Sequence, residues 1–155
     1  MTPIPPTVTP TPTPTATPTL TPTSGPLVAG YYTLTPCRVA DTRDPNGPYG
    51  GPALSAGEVR SFEMPGRCGI PAEAGAVALN VIVTQPSAPG FLSLYPLGIA
   101  PPLASTINFG PGQTRANNAI VQLGSGGSIV VDNRQTSGAT HVILDVVGYF
   151  RFPGP

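Results

Sequence analysis

The side chains with the clearest chemical potential are two cysteines, Cys37 and Cys68, the only ones in the 155-residue chain. They do not form a Cys-X-X-Cys motif, and the only histidine, His141, is distant in sequence, so the ligands of a zinc site are missing. An even number of cysteines in a small Gly- and Pro-rich domain favours a disulfide and an oxidising compartment. The alternative of two buried thiols in a reduced protein stays open.

A cluster of charged residues follows the first cysteine. Arg38, Asp41 and Arg43 lie close together in sequence, and Asp145 lies in an otherwise apolar segment near the end of the chain. Because a lone charge is costly in an apolar strand, Asp145 or Asp41 is expected to pair with one of these arginines in a partly buried, bidentate link. Strict strand alternation places Asp41 on the opposite face from Arg38. The predicted role of the link is structural, in fixing how the first and last strands meet.

The other ionisable and nucleophilic groups show no catalytic pattern. His141 and Asp145 are four residues apart, which in a strand separates them by about 13 Å. Ser125 lies in a Gly-rich turn without the helix that follows a nucleophile elbow. No spacing among the acidic residues places two carboxylates across a cleft for glycoside hydrolysis. We therefore predict that the protein is not an enzyme and has no cofactor.

A calcium site is the remaining metal-binding alternative. Asp41, Asp44 and Asn46 supply oxygen ligands, but they lack the spacing and the glycine of a calcium-binding loop. The sequence therefore predicts no metal site.

These residues are expected to lie on an all-β scaffold. Helical periodicity is absent, and 19 Gly and 23 Pro separate short runs that alternate apolar and polar residues. We predict an antiparallel two-sheet β-sandwich, jelly-roll-like, with nine strands: Gly30–Thr35, Cys37–Thr42, Glu58–Met64, Ala76–Gln85, Gly90–Tyr95, Ser105–Phe109, Ala116–Leu123, Ser128–Asn133 and Thr140–Phe150. The alternation in the fourth strand directs Val77, Leu79, Val81 and Val83 to the core, and the last strand is apolar enough to be interior to a sheet.

Two connections carry turn residues and predict β-hairpins. Pro86–Gly90 would join the fourth and fifth strands, and Gly124–Gly127 would join the seventh and eighth. Two longer Gly- and Pro-rich loops, Asp44–Gly57 and Pro96–Ala104, are candidate binding loops. Tyr49 is the one aromatic residue in the first of them and the candidate for contact with a glycan, although packing within the loop is the simpler interpretation.

The first 26 residues form a separate segment. Thr or Pro occupies eighteen of the first twenty-four positions, which excludes a helix and a regular two-sided ladder. We predict an extended stalk over residues 1–26, a β-sandwich domain over residues 27–150 and a C-terminal end over residues 151–155. Thr/Pro stretches are typical of O-glycosylated stalks outside the cell.

Composition limits the partners. Seven Arg and no Lys balance seven acidic residues, so the net charge is +0. A nucleic-acid or anionic-membrane partner requires a basic face, and a membrane span requires about 18 consecutive apolar residues; neither is present. With so few charges to keep copies apart, self-association is easier.

An ordered set of segments resembles a β-rich module found singly or repeated in secreted bacterial surface proteins, often behind Thr/Pro linkers. The matching segments are Thr35–Arg43, Cys68–Pro71, Ala78–Thr84, Gly90–Pro96, Asn108–Phe109, Ala116–Ala119 and Asp145–Phe150. The resemblance covers nearly everything from Tyr31 to Phe150. It implies an extracellular location at the cell surface and supports pairing of Cys37 with Cys68, but it implies no activity or ligand.

The leading hypothesis is a non-enzymatic structural module of the bacterial cell surface that self-associates into a homopolymer, with the tail completing a sheet edge of a neighbouring copy. The Pro spacing limits regular pairing to Ser24–Tyr32. The apolar residues available for docking are Ile4, Val8, Leu20, Leu27 and Val28. The alternative is an adhesion module that binds a cell-surface glycan or the cell wall.

Overall fold

The structure, a computed structural model, describes residues 28–152, and within them the protein is all-β, as the sequence predicts. It contains no α-helix in this range, and its only helical turn is a short 3₁₀ segment, Ser125–Gly127. The strands are β1 Gly30–Asp41, β2 Leu54–Ser55, β3 Val59–Glu63, β4 Ala76–Thr84, β5 Gly90–Pro96, β6 Ile107–Phe109, β7 Arg115–Gln122, β8 Ser128–Asn133 and β9 Ala139–Arg151.

The strands form two antiparallel sheets. The first sheet has the strand order β1-β9-β4-β7, and the short β2 pairs with residues 139–140 of β9, before the part of β9 that pairs with β1. The second sheet has the strand order β3-β8-β5-β6. The chain moves from one sheet to the other between β2 and β3, between β3 and β4, between β4 and β5, and at every connection from β6 to β9. This is the jelly-roll-like sandwich that the sequence predicts.

Both predicted hairpins are wrong. Strand β4 pairs with β7 and β9 and β5 pairs with β6 and β8, so Pro86–Gly90 crosses between the sheets instead of joining neighbouring strands. Gly124–Gly127 likewise carries the chain from β7 to β8 in the other sheet. Turn residues indicate that the chain changes direction, but the sheet that receives the next strand depends on pairing with distant segments.

The core lies between the two sheets. Val77, Leu79, Val81 and Val83 are at most 1% exposed, so the predicted inward face of β4 is confirmed. They face buried residues of the second sheet, which include Phe62, Leu92, Ile129 and Val131. Strand β9 lies between β1 and β4, and the prediction of an interior last strand is also confirmed.

Strand β1 is one continuous element, whereas the sequence predicts two strands interrupted at Pro36. Its pairing with β9 shifts register between Thr33 and Cys37 and again between Arg38 and Ala40. A bulge of this kind accommodates a proline without ending the strand. Tyr31 and Tyr32 pair with β9 of the same chain, so this end of Ser24–Tyr32 is already paired within its own sheet.

Candidate functional site

Arg38 on β1 and Asp145 on β9 form the bidentate ion pair between the first and last strands. Arg38 Nε donates to Asp145 Oδ1 at 2.8 Å, and Arg38 Nη2 donates to Oδ2 at 3.2 Å. Hydrogen bonding to Asp145 raises the pKa of Arg38. The two residues are register partners, so the pair lies directly across the β1–β9 ladder.

Asp41 is the buried member of the cluster, with 4% of its side chain exposed. It accepts two hydrogen bonds from the Arg43 side chain, at 2.9 and 2.6 Å, and one from Arg38 Nη1 at 3.1 Å. The hydrogen bonds from Arg43 lower the pKa of Asp41 to about 2. The prediction that Arg38 and Asp41 lie on opposite faces is wrong, because the bulge between Arg38 and Ala40 breaks the alternation.

The disulfide between Cys37 and Cys68 is present and lies beside this cluster. It connects β1 to the turn that follows β3. Arg67, the residue before Cys68, donates from Nη2 to the Val39 carbonyl oxygen at 3.4 Å. The sequence analysis did not identify Arg67, since nothing in its spacing relates it to β1.

Tyr49 packs within the protein. The Arg67 guanidinium carbon lies 3.8 Å from the centroid of its ring, and the Phe62 ring lies 6.4 Å away. The Tyr49 hydroxyl donates to the Glu63 carbonyl oxygen at 3.1 Å. One ring face is therefore occupied by a cation, which leaves that face unavailable for stacking against a sugar.

A second region is an apolar groove of about 660 Å³ on the outer face of the first sheet. Its lining includes Tyr31, Ala78, Ile120, Val147 and Phe150. The side chain of Ile120 is 68% exposed and that of Tyr31 is 47% exposed. An apolar surface of this kind on a small domain marks an interaction site more often than a catalytic one.

The groove borders β7, an edge strand whose residues are mostly exposed. Its ladder with β4 runs from Val83↔Arg115 to Ala76↔Gln122 without a register shift, and β7 contains no proline. Within residues 28–152, the β7 backbone makes no hydrogen bond beyond this ladder. The edge is therefore open to another strand.

The residues weighed for catalysis and metal binding do not converge. His141 Nδ1 lies 3.1 Å from Thr42 Oγ1 and 3.0 Å from the Thr42 carbonyl oxygen, whereas Asp145 pairs with Arg38. In the described part of the chain, no three His, Cys, Asp or Glu side chains are grouped to hold a metal ion. No helix between residues 28 and 152 has the length and apolar character needed to cross a membrane.

Of the predicted docking residues, Val28 is 77% exposed. The other four, Ile4, Val8, Leu20 and Leu27, lie outside the described residues. The groove and the open edge could not be identified from the sequence. Nothing in the residues of β7, Arg115–Gln122, distinguishes a strand with one neighbour from a strand with two, so the sequence carried no local signal for them.

No protein-family model matches the chain, and no curated protein matches it either. The resemblance to a module of bacterial surface proteins therefore stays a prediction.

Proposed function

We propose that this protein is a non-enzymatic extracellular structural module of the bacterial cell surface that assembles into a filament through its N-terminal tail. The observation that carries the proposal is the open edge of β7 beside an exposed apolar groove. A strand edge supplies unpaired backbone groups for the addition of an extended segment, and the apolar groove beside it is a surface that a neighbouring copy can cover.

The charge distribution supports association between copies. The chain has a net charge of +0, so long-range repulsion between copies is weak. Neither the lining of the groove nor β7 contains a carboxylate, and Arg115, at one end of β7, is the one charge there. A second copy can therefore approach this face without a large desolvation cost for charged groups.

The acidic side chains support a structural role over a catalytic one. Asp41, Asp132, Asp145 and Glu58 each pair with an arginine. An arginine partner occupies carboxylate oxygens that a catalytic acid or base would direct at a substrate. The disulfide agrees with an oxidising, extracellular compartment.

The test is electron microscopy and sedimentation of the purified full-length protein. We expect regular fibres above a threshold concentration, and we expect a variant lacking Met1–Ser24 to keep its circular dichroism spectrum and melting transition but to form none. Full-length protein that stays monomeric at every concentration would contradict the proposal.

The second candidate is an adhesion module that binds a glycan or the cell wall, and the aromatic residues near the start of β1 favour it. Tyr32 is 45% exposed, and its ring stacks on Tyr149 with centroids 5.1 Å apart. A rigid, exposed aromatic ring is a suitable surface for a sugar. Monomers that are retained on peptidoglycan, and that lose retention on Tyr32→Ala, would favour this candidate.

A further inference from the structure

The tail has a strict period of two that continues over seventeen residues. Threonine occupies every odd-numbered position from Thr7 to Thr23. The even-numbered positions between them are all apolar: Val8, Pro10, Pro12, Pro14, Ala16, Pro18, Leu20 and Pro22. In an extended chain, this pattern places threonine side chains on one face and apolar side chains on the other.

The same parity separates the two hydrogen-bonding edges of the tail. In a strand, the N–H and C=O of one residue point to one edge, and those of the next residue point to the other. Every proline in Thr7–Thr23 therefore lacks its donor on the same edge, and the opposite edge, formed by the threonines, keeps every donor and acceptor. A two-sided ladder is excluded, but a one-sided ladder is not, so the Pro spacing does not by itself limit regular pairing to Ser24–Tyr32.

The prolines also prepare the tail for pairing. A residue that precedes proline is restricted to the β and polyproline II regions, and Thr9, Thr11, Thr13, Thr17 and Thr21 all precede one. A threonine restricted in this way has fewer conformations to lose, so the conformational entropy lost on strand addition is reduced.

The structure determines which groups β7 presents to such a tail. The Leu123 N–H donates to the Gly75 C=O at 2.9 Å, in register with the β4–β7 ladder, so Gly75 and Leu123 are hydrogen-bonded partners. Hydrogen-bonded and non-hydrogen-bonded pairs alternate along an antiparallel ladder, so Val77↔Val121 and every second register pair after it are also hydrogen-bonded. The backbone groups of the intervening residues point to the open edge; these residues are Ala116, Asn118, Ile120 and Gln122.

Those four residues lie on the outer face of the sheet, because their register partners in β4 alternate with the buried residues Val77, Leu79, Val81 and Val83. In an antiparallel pair, residues that exchange hydrogen bonds carry their side chains on the same face. A tail that adds antiparallel to β7 through its threonines therefore places threonine on the outer face. Its apolar residues then point to the inner face, over the margin of the core.

A parallel arrangement gives the opposite result. In a parallel pair, a residue does not bond to the residue directly opposite it but to the residues immediately before and after that one. The side chains of bonded residues therefore lie on opposite faces of the sheet. Threonine would then point toward the core margin and the apolar side chains toward solvent. Only the antiparallel arrangement satisfies the backbone and buries the apolar face.

The core margin beside β7 has room for these side chains. A cleft of about 240 Å³ lies between β6 and β7, and its lining is mostly polar: Thr106, Ile107, Asn108, Arg115, Ala116 and Asn117. Asn117 Nδ2 donates to the Thr106 carbonyl oxygen at 2.7 Å and connects the two sides of the cleft. Asn117 is exposed although its register partner, Val81, is fully buried. The sandwich is therefore incomplete at this margin.

The antiparallel arrangement favours the tail of another copy. The chain enters the sheet at Gly30, at the same end as Gln122, because the register aligns Tyr31, Phe150, Ala76 and Gln122 across the four strands. A chain's own tail, antiparallel to its own β7, would finish at the Arg115 end and have to return the length of the strand, about 27 Å for eight residues. If the docked run is the one nearest the domain, residues 16–23, only residues 24–29 remain for the return, about 20 Å. A docked run further from the domain leaves a longer return segment, so pairing within one copy is the competing outcome that the tests below separate.

We propose that Thr7–Thr23 of one copy adds as an antiparallel strand to the β7 edge of a second copy, bonding through its threonine backbone and covering the β6–β7 margin with its even-numbered apolar side chains. This inference rests on the proposed function and identifies the donor segment, the acceptor edge and the direction. Repeated from copy to copy, it is a head-to-tail contact, which produces a filament when successive rotations do not close into a ring.

The first test moves four prolines from even-numbered to odd-numbered positions and leaves the amino-acid composition of the tail unchanged. The swapped-tail variant combines Thr11→Pro/Pro12→Thr, Thr13→Pro/Pro14→Thr, Thr17→Pro/Pro18→Thr and Thr21→Pro/Pro22→Thr. Every run of eight residues within Thr7–Thr23 then has at least two prolines on the bonding edge. We expect the concentration at which half the protein sediments as polymer to rise at least about thirtyfold, as two lost backbone hydrogen bonds would produce.

The matched control removes the same four prolines without adding any. The combination Pro12→Thr, Pro14→Thr, Pro18→Thr and Pro22→Thr keeps every bonding-edge donor, and the half-polymer concentration should change less than about fivefold, the worth of one hydrogen bond. Equal effects of the swapped-tail variant and this control would overturn the inference.

The second test changes the acceptor. Asn118→Pro removes a donor that points to the open edge and leaves the ladder with β4 intact, so the melting transition should be retained while polymerisation is lost. Asn118→Thr keeps the donor and is the control. A mixture of Asn118→Pro with the swapped-tail variant should form a dimer and no polymer, because each variant supplies the half that the other lacks.

The outcomes separate the inference from the proposed function. Fibres that tolerate both the swapped tail and Asn118→Pro would overturn the inference and leave a filament assembled by another contact. Monomeric wild-type protein whose Thr7–Thr23 amides are protected from hydrogen exchange would show docking within one copy and overturn the inference as well. Monomers without such protection would overturn both.

Discussion

Strands β1 and β7 form the two edges of the same sheet, and they differ in most features that govern whether an edge can accept another strand. Strand β1 contains Pro36 and two register shifts, and it is joined to the turn after β3 by the Cys37–Cys68 disulfide. Strand β7 has no proline and no register shift, and most of its residues are exposed. Prolines and bulges prevent edge pairing, so β1 is protected and β7 is not.

The difference indicates that the β1 edge contributes to the stability of the domain and that the β7 edge is available for association. At β1, a covalent link through Cys37 and an ion pair through Arg38 hold the first strand to the rest of the domain. Within residues 28–152, no disulfide or ion pair holds β7, and its outward backbone groups are available to a partner. Substitutions near β1 should therefore change stability, and those on the outer side of β7 should change association.

The largest expected effect is the loss of the disulfide. Replacing both cysteines, as Cys37→Ser/Cys68→Ser, should lower the free energy of unfolding by about 3 to 4 kcal/mol, because the bridge closes a loop between residues 31 apart in sequence. Denaturant titration of this variant against the oxidised wild type measures the difference, with reduced wild type as the control. A loss below about 1 kcal/mol would mean that β1 does not depend on the bridge.

The next effect comes from Asp41. Asp41→Asn should lower the free energy of unfolding by about 1 to 2 kcal/mol. Breaking a fully buried ion pair would lower it more, but Arg38 and Arg43 are half-exposed and solvent screens their charges. Asp44→Asn, at an exposed neighbouring carboxylate, is the control and should change stability by less than about 0.5 kcal/mol. Equal effects of the two substitutions would contradict a special role for Asp41.

The same carboxylate predicts a pH dependence. The pKa of Asp41 is about 2 in the folded protein, below its ordinary value of 3.8, so the unfolded chain binds the proton more readily. The stability that Asp41 contributes is complete above about pH 4 and is lost as the pH falls toward 2. Melting temperatures from pH 5 to pH 2 should fall less steeply for Asp41→Asn than for the wild type, and parallel curves would exclude Asp41 as the source.

A smaller effect is expected at the other end of the ion-pair cluster. Asp145→Ala should destabilise the fold by up to about 1 kcal/mol, because 24% of Asp145 and 47% of Arg38 are exposed. A double-mutant cycle with Arg38→Ala isolates the coupling between the two side chains. An unchanged melting temperature would show that this link does not hold β1 to β9.

The smallest effect on stability is expected at the open edge. Ile120→Lys should change the free energy of unfolding of the monomer by less than about 0.5 kcal/mol, since the Ile120 side chain is 68% exposed. Val59→Lys, at a 56% exposed position on the other sheet, is the matched control. A loss above about 1 kcal/mol at Ile120 alone would show that the residue is covered within the monomer, by the chain's own tail for example.

Features that depend on neighbouring residues followed from the sequence. Alternation identified the inward face of β4, and the run of apolar residues around Leu144 identified an interior strand. The cost of a charge in an apolar strand indicated a partner for Asp145, and Arg38 is that partner. Each of these inferences rests on properties of one segment and its immediate chemistry.

Features that depend on distant segments did not follow. The turn residues of Pro86–Gly90 are those of a hairpin, yet β4 and β5 belong to different sheets, because β9 and β7 take the places beside β4. The bulge after Arg38 is invisible in an alternating pattern, and it brings Asp41 to the face where Arg38 lies. Arg67 contacts Tyr49 only because the disulfide brings its turn to β1.

The patterns of the sequence indicated most of the strand-forming segments, the buried face of β4 and the parity of the tail, since a period of two is a local property of the chain. Tertiary structure alone decided that β7 is an edge, which of its backbone groups are unpaired and at which end of the sheet the tail begins. Those facts depend on which strands pair across the whole domain, and pairing between distant segments leaves no mark within any one of them.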